Sequence, residues 1–160
     1  MARRLYTVAE VEGLIPSLER IFTQVLQLRV GLRGIEQKLE RAGITVDMDD
    51  ESDDDLAGAR VAQARAEAQE GPDIRHARAV FRGFYEALSD GLEQIRGLGG
   101  EVKDLDMGLV DFPGRRGADD ILLCWRLGEK KIEYWHPVDG GFANRRPLDE
   151  GIPGTPSRLD

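Results

Sequence analysis

The chain is short of several residue types, and each shortage removes a class of protein. One cysteine among 160 residues, Cys124, leaves no internal disulfide framework and fits a reducing compartment. Two histidines, His76 and His136, form no His-Glu-x-x-His motif, and there is no Cys-x-x-Cys pair. Lysine numbers 4 against 18 arginines, a trace of codon supply that suggests a GC-rich bacterial genome. No window approaches 18 consecutive apolar residues, so no membrane-spanning helix is expected. Arg3-Arg4 is followed by no apolar stretch, so the start does not read as a secretory signal, and neither end carries a lipidation motif. The expected location is cytoplasmic.

Charge is abundant but unevenly placed. The net charge is −8, with 30 acidic and 22 basic residues, and seven of the acids lie between Asp47 and Asp55. Without those seven the remaining 23 acids nearly balance the bases. A broad basic face for nucleic acid is therefore not expected. The acidic run does not read as a calcium loop. From Asp47 the sixth position is Ser52 and the twelfth Gly58; from Asp49 they are Asp54 and Arg60. An EF-hand needs glycine and glutamate there. Dense like charge instead predicts a solvated tip loop over residues 44–55. The hydrophobic content of 41% supports a packed core around it.

The longest pattern is helical. Thr7 with Glu10 makes a capping box. Val11, Leu18, Val25, Leu32 and Leu39 then repeat every seven residues, with Leu14, Ile21, Leu28, Ile35 and Ala42 as a second row. Gly43 is a natural stop, and Pro16 predicts a kink near the start. A third apolar row, Val8, Ile15 and Phe22, gives way to Arg29 and Glu36. The proximal half should therefore lie under a second layer, and the distal half should form a simpler coiled-coil arm. Residues 73–98 carry the returning rows, Ile74, Phe81, Leu88 and Ile95 beside Ala77, Phe84, Gly91 and Leu98, ending at Gly97 to Gly100. Residues 56–70, rich in helix formers, should extend the return.

After residue 100 the period changes to two. Leu109 to Phe112 reads as a strand ended by Pro113-Gly114. Residues 121–127 and 130–136 flank Gly128-Glu129, which predicts a two-residue type II′ hairpin pairing Trp125 with Ile132, Leu123 with Tyr134 and Ile121 with His136. Cys124 then faces Glu133, and Leu122 faces Trp135. A three-residue turn would shift every pair by one. The expected fold class is α+β: a long, coiled-coil-like antiparallel helical hairpin with a small antiparallel sheet packed at its base. It is organised as one domain, 1–148, comprising the hairpin 6–98, with its tip at 44–55, and the β-rich block 101–148. Residues 149–160 read as a flexible tail.

Two blocks of sequence resemble a known family. Tyr6-Thr7-Val8-Ala9-Glu10 and Ile15-Pro16-Ser17-Leu18 stand at the start. Glu101 to Asp104, Gly108 to Pro113, Leu123-Cys124-Trp125, Gly128-Glu129, Trp135-His136, Gly141-Phe142 and Arg145 to Leu148 fill the end. Together they are similar to the bacterial family called domain of unknown function 2203. Val11 stands where that family usually has alanine. The resemblance implies no activity, but it puts the family's character in the C-terminal block.

Chemistry, if any, should sit in that block. His136, Glu129, Asp111 and Arg145 are the candidate ligand or metal residues, because histidine with carboxylates is a workable metal or acid–base set. The bland reading beside it makes His136 a strand-end residue bonded to backbone, Glu129 a solvated turn residue and Arg145 half of a surface ion pair. Asp111, if buried, needs Arg145 or His136 as partner. Trp125 and Trp135 read as core or interface anchors. Cys124 lacks a base and reads as a buried thiol. No Walker loop or dinucleotide fingerprint occurs, and no catalytic residue is assigned. The reading is a non-catalytic interaction or scaffold protein, self-associating or binding a protein partner through its arm, with no cofactor, no nucleic acid and no membrane. The alternative is a metal- or small-ligand-binding protein, or an enzyme, that takes a divalent metal or small ligand at the C-terminal block.

Overall fold

The computed structural model describes residues 4–44, 71–149 and 151–153. The tip expected at 44–55, apart from Ile44, and the helix expected over 56–70 lie outside them.

Two helices, α1 (Val8–Arg41) and α2 (Pro72–Gly97), pack against each other, and five antiparallel strands complete an α+β architecture. The capping box forms as the sequence requires. The Glu10 amide donates to Thr7 Oγ1, and the Thr7 amide donates to Glu10 Oε2, both at 3.2 Å. α1 is one continuous element through Pro16. It ends at Gly43, whose φ of +79° places it in the left-handed region. The Ile44 amide reaches back to Leu39 O and the Gly43 amide to Glu40 O, which closes two otherwise orphaned carbonyls.

The chain divides into two compact units, Met1–Leu26 with Ser89–Asp160, and Gln27–Leu88. In the helical unit, Leu32, Leu39, Ala77 and Leu88 are buried, and Gly31 lets the backbone come down on the Phe84 ring. In the sheet unit, Gly91 does the same against Val25. The third apolar row is covered: Val8, Ile15 and Phe22 are all buried there.

That cover is the sheet, in the order β1 (Glu101–Asp104), β2 (Leu109–Arg116), β3 (Asp119–Arg126), β4 (Tyr134–Pro137) and β5 (Arg146–Pro147). The Phe22 and Trp125 rings meet at 6.0 Å, and Tyr6 meets Phe112 edge-on at 5.5 Å. Pro113 does not end β2, which continues to Arg116. The Pro113 carbonyl accepts from the Tyr6 amide at 2.7 Å, on the side away from β3. Backbone N and O of an extended residue point the same way, so the missing N–H costs no ladder bond with β3.

The β3–β4 connection differs from the two-residue hairpin. The turn is Arg126–Glu129, closed by the Glu129 amide on Arg126 O, with Gly128 at its second central position and φ +104°. Pairing resumes only at Tyr134, with Leu122 opposite His136, Leu123 opposite Trp135 and Cys124 opposite Tyr134. This is the one-residue shift. Side-chain anchors hold the intervening loop: Trp125 Nε1 donates to Glu129 O at 2.9 Å, and the Ile132 amide donates to Glu12 Oε1 at 3.3 Å.

Residues 149 and 151–153, expected to be loose, are anchored. Arg116 pairs with Asp149 at 2.8 Å, Ile152 is buried, and the Val8 amide donates to Pro153 O. Burial of one isoleucine and two backbone bonds hold these residues, which composition alone marks as loose.

Candidate metal centre

Register decides which side chains meet. Asp111 pairs with Cys124 across β2 and β3, and Leu122 pairs with His136 across β3 and β4. Alternation then puts Asp111, Cys124 and His136 on one face of the sheet. The opposite face carries Phe112, Leu123 and Trp125, with Trp125 on Phe22 of α1. The three polar residues are sealed: Asp111 is 2% exposed, His136 1% and Cys124 0%. Their potential ligand atoms lie within 4.8 Å of one another.

The hydrogen bonds constrain the protons. His136 Nδ1 donates to Pro137 O at 2.8 Å, because a carbonyl can only accept. Nε2 is thereby turned toward Asp111 Oδ2 at 3.0 Å. One further proton must lie between imidazole and carboxylate for that contact to be a hydrogen bond. The second carboxylate oxygen, Asp111 Oδ1, is buried and has no hydrogen-bond partner among the described residues. The Cys124 thiol beside it is a weak donor. Burial first, and then the Asp111 carboxylate, push the Cys124 thiol up to about 12, against an opposing pull from Arg145.

Glu129 and Arg145 form a second pair on the flank of this group. Arg145 Nη2 donates to Glu129 Oε1 at 2.6 Å and to Cys124 O at 3.2 Å. Glu129 Oε1 also accepts the Arg126 amide at 2.6 Å. The guanidinium lies over the Tyr134 and Phe142 rings at 4.2 and 5.0 Å. Glu129 is thus not a solvated turn residue, and Arg145 is not half of a surface pair. Both are largely withdrawn from water because the longer β3–β4 loop folds Glu129 back over the sheet.

Of the residues singled out from sequence, Asp111 and His136 touch, Glu129 and Arg145 touch, and Arg145 joins the two pairs through Cys124. Trp125 and Trp135 are buried anchors, with Trp135 Nε1 donating to Pro147 O at 3.1 Å. Cys124 is the member that sequence reasoning set aside. Its signal was present, since the shifted register moves His136 to the face of Cys124, but an unshifted hairpin puts them on opposite faces.

The donor set can hold a divalent transition metal. Bond lengths of about 2.0–2.3 Å to N, O and S separate tetrahedral ligands by about 3.3–3.6 Å. The Asp111–His136 contact would open by a few tenths of an ångström, and the thiol would need to close by no more than about 1 Å. A backbone carbonyl on Nδ1, fixing the ring with Nε2 inward, is the usual outer support of a ligating histidine.

No curated protein and no solved structure matches the chain. A family model described as Uncharacterized conserved protein (DUF2203) matches residues 4–148. That span takes in α1, α2 and all five strands, and with it Asp111, Cys124, Glu129, His136 and Arg145; the chain belongs to this family.

Proposed function

We propose that this is a metal-binding protein whose sheet unit closes around one thiophilic divalent cation held by Asp111, Cys124 and His136. The observation that carries the reading is Asp111 Oδ1, a buried carboxylate oxygen with no strong donor, only the weakly donating Cys124 thiol beside it, next to an inward-facing imidazole nitrogen. A buried charge-bearing oxygen left unpaired is costly. A cation removes that cost. It takes the place of two protons, one from the imidazole–carboxylate contact and one from the thiol, so the net charge of the buried group is unchanged. Thiolate with imidazole selects Zn²⁺ or a similar ion over Mg²⁺ or Ca²⁺. The near-complete burial of all three ligands supports a structural ion rather than one that meets a substrate.

Elemental analysis of the purified full chain tests this, together with refolding in the presence of Zn²⁺, since a sealed site loads as the sheet closes. One equivalent of metal in wild type, and none in His136→Ala or Cys124→Ala, is the expected result. Wild-type protein that neither carries metal nor takes it up on refolding overturns the reading.

The interaction reading keeps one observation of its own. In the helical unit Leu28 and Ile35, on one stripe of α1, are only partly covered, as are Phe81 and Phe84 of α2. A second copy laid along the α1 stripe would cover it. Light scattering of wild type against Ile35→Glu tests it, and a wild-type monomer at high concentration rejects it.

A further inference from the structure

A second group of charges stands on the other face of the sheet. Cross-strand pairing sets Arg116 opposite Asp119, and Trp135 opposite Leu123 and Arg146. Alternation then puts Arg116, Asp119, Ile121, Trp135 and Arg146 on the face opposite to Asp111, Cys124 and His136. These five residues, with Asp120 and Asp139, line a hollow of about 480 Å³, within the size range of small-molecule sites. Ile121 and Trp135, both buried, give it an apolar base.

The two guanidiniums are held by the indole and not by the acids that share the hollow. Cζ of Arg116 and Cζ of Arg146 each lie 5.3 Å from the centre of the Trp135 ring. Arg116 also turns from its cross-strand partner Asp119: its Nε donates to Asp149 Oδ2 at 2.8 Å. That leaves its two terminal nitrogens without an acceptor among the described residues. No ion pair among the described residues joins Arg116 or Arg146 to Asp119, Asp120 or Asp139, although all five line the same hollow. Opposite charges that share a hollow without closing on each other leave both donors and acceptors open to a ligand. Counting Asp149, four carboxylates stand against two guanidiniums. The hollow therefore favours a ligand of net positive charge that carries an anionic group as well.

We infer that this hollow binds a free basic α-amino acid, its carboxylate on Arg116 and Arg146, its cationic groups among Asp119, Asp120 and Asp139, and its aliphatic stem on Ile121 and Trp135. A guanidinium suits the carboxylate because its fork of donors matches the two oxygens. The stem of lysine or arginine lies along apolar surface while its charged end stays among polar groups. The site is independent of the metal reading, since it uses none of Asp111, Cys124 and His136.

Titration calorimetry of the full chain at low ionic strength tests this, with L-lysine and L-arginine as probes. Cadaverine is lysine without its carboxylate, and norleucine is its isostere without the side-chain nitrogen. The expected result is binding of L-lysine or L-arginine at millimolar concentration, with cadaverine and norleucine each weaker by about 10-fold. Arg146→Ala, at an exposed position, should weaken lysine by about 10-fold and leave cadaverine unchanged. Asp119→Asn combined with Asp139→Asn should weaken both. Arg115→Ala removes an exposed arginine of the same strand that does not line the hollow, and should change neither. Failure of both amino acids to bind at millimolar concentration overturns the inference. Cadaverine that binds as tightly as lysine does so too, because it marks an acidic patch that attracts any cation. An Arg146→Ala protein with wild-type affinity for lysine rejects the carboxylate contact and the inference with it.

Discussion

Replacing Asp111 in metal-free protein separates what the His136 ring needs from what a cation would need. In the presence of chelator, His136 Nε2 has one partner, Asp111 Oδ2 at 3.0 Å, and the ring is 1% exposed. Asp111→Ala leaves that nitrogen facing a void in place of the carboxylate. Breaking a buried pair from one side costs about 3–5 kcal/mol. At about 3 °C per kcal/mol for a domain of this length, the melting temperature should fall by about 10 °C. Asp111→Asn should behave differently. With Nδ1–H committed to Pro137 O, a neutral ring presents a lone pair at Nε2, and the asparagine amide can donate to it. Its cost should be about 1 kcal/mol. Urea denaturation followed by tryptophan fluorescence suits the measurement, since Trp125 and Trp135 are both buried in this sheet. An Asp111→Ala protein within about 1 kcal/mol of wild type would refute the geometry, and so would an Asn variant as unstable as the Ala variant.

Three further outcomes follow from the same coordinates. The Cys124 thiol is raised from 9.0 to about 12, so the unfolded chain loses this proton first as pH rises. The thiol's contribution is complete below pH 9 and is lost between pH 9 and about 12, up to about 4 kcal/mol. Metal-free wild type should therefore lose stability across that window faster than Cys124→Ala in parallel urea titrations, and equal slopes would count against the burial. An added Cβ at Gly91 meets Val25 Cγ2 at 2.6 Å, and one at Gly31 meets the Phe84 ring at 2.6 Å, but Val25 is 1% exposed whereas Phe84 is half-exposed and can turn. Gly91→Ala should be less stable than Gly31→Ala by about 1–3 kcal/mol in thermal melts, although both gain helix propensity. Thr7→Ala removes the hydroxyl that caps the Glu10 amide and should cost about 1 kcal/mol by denaturant titration.

Much of the fold was legible because it rests on local chemistry. The capping box, the Gly43 stop and the heptad rows need no partner to be recognised. The third row, Val8, Ile15 and Phe22, announced a covering layer, and the sheet supplies it through Trp125 and its neighbours. Pro113 misled because a proline looks like a strand end until one knows that its carbonyl faces Tyr6 and its nitrogen faces no strand. Residues 149 and 151–153 misled because composition says nothing about a single isoleucine finding a hole.

The candidate centre was legible only in part, and Cys124 was missed. Asp111, Glu129, His136 and Arg145 could be picked out as polar groups in an apolar block, but their grouping hung on one residue of register between β3 and β4. That register was not set by the Gly128-Glu129 pair. It was set by Trp125 Nε1 reaching Glu129 O and by Glu12 of α1 taking the Ile132 amide, contacts between residues 4 and 120 positions apart. Side chains alternate with period two along a strand, so a shift of one exchanges the faces of the sheet. Helix ends and hydrophobic stripes follow from neighbours a turn apart and are written in the chain; the meeting of Asp111, Cys124 and His136 follows from how distant segments clamp a loop, and no local pattern encodes that.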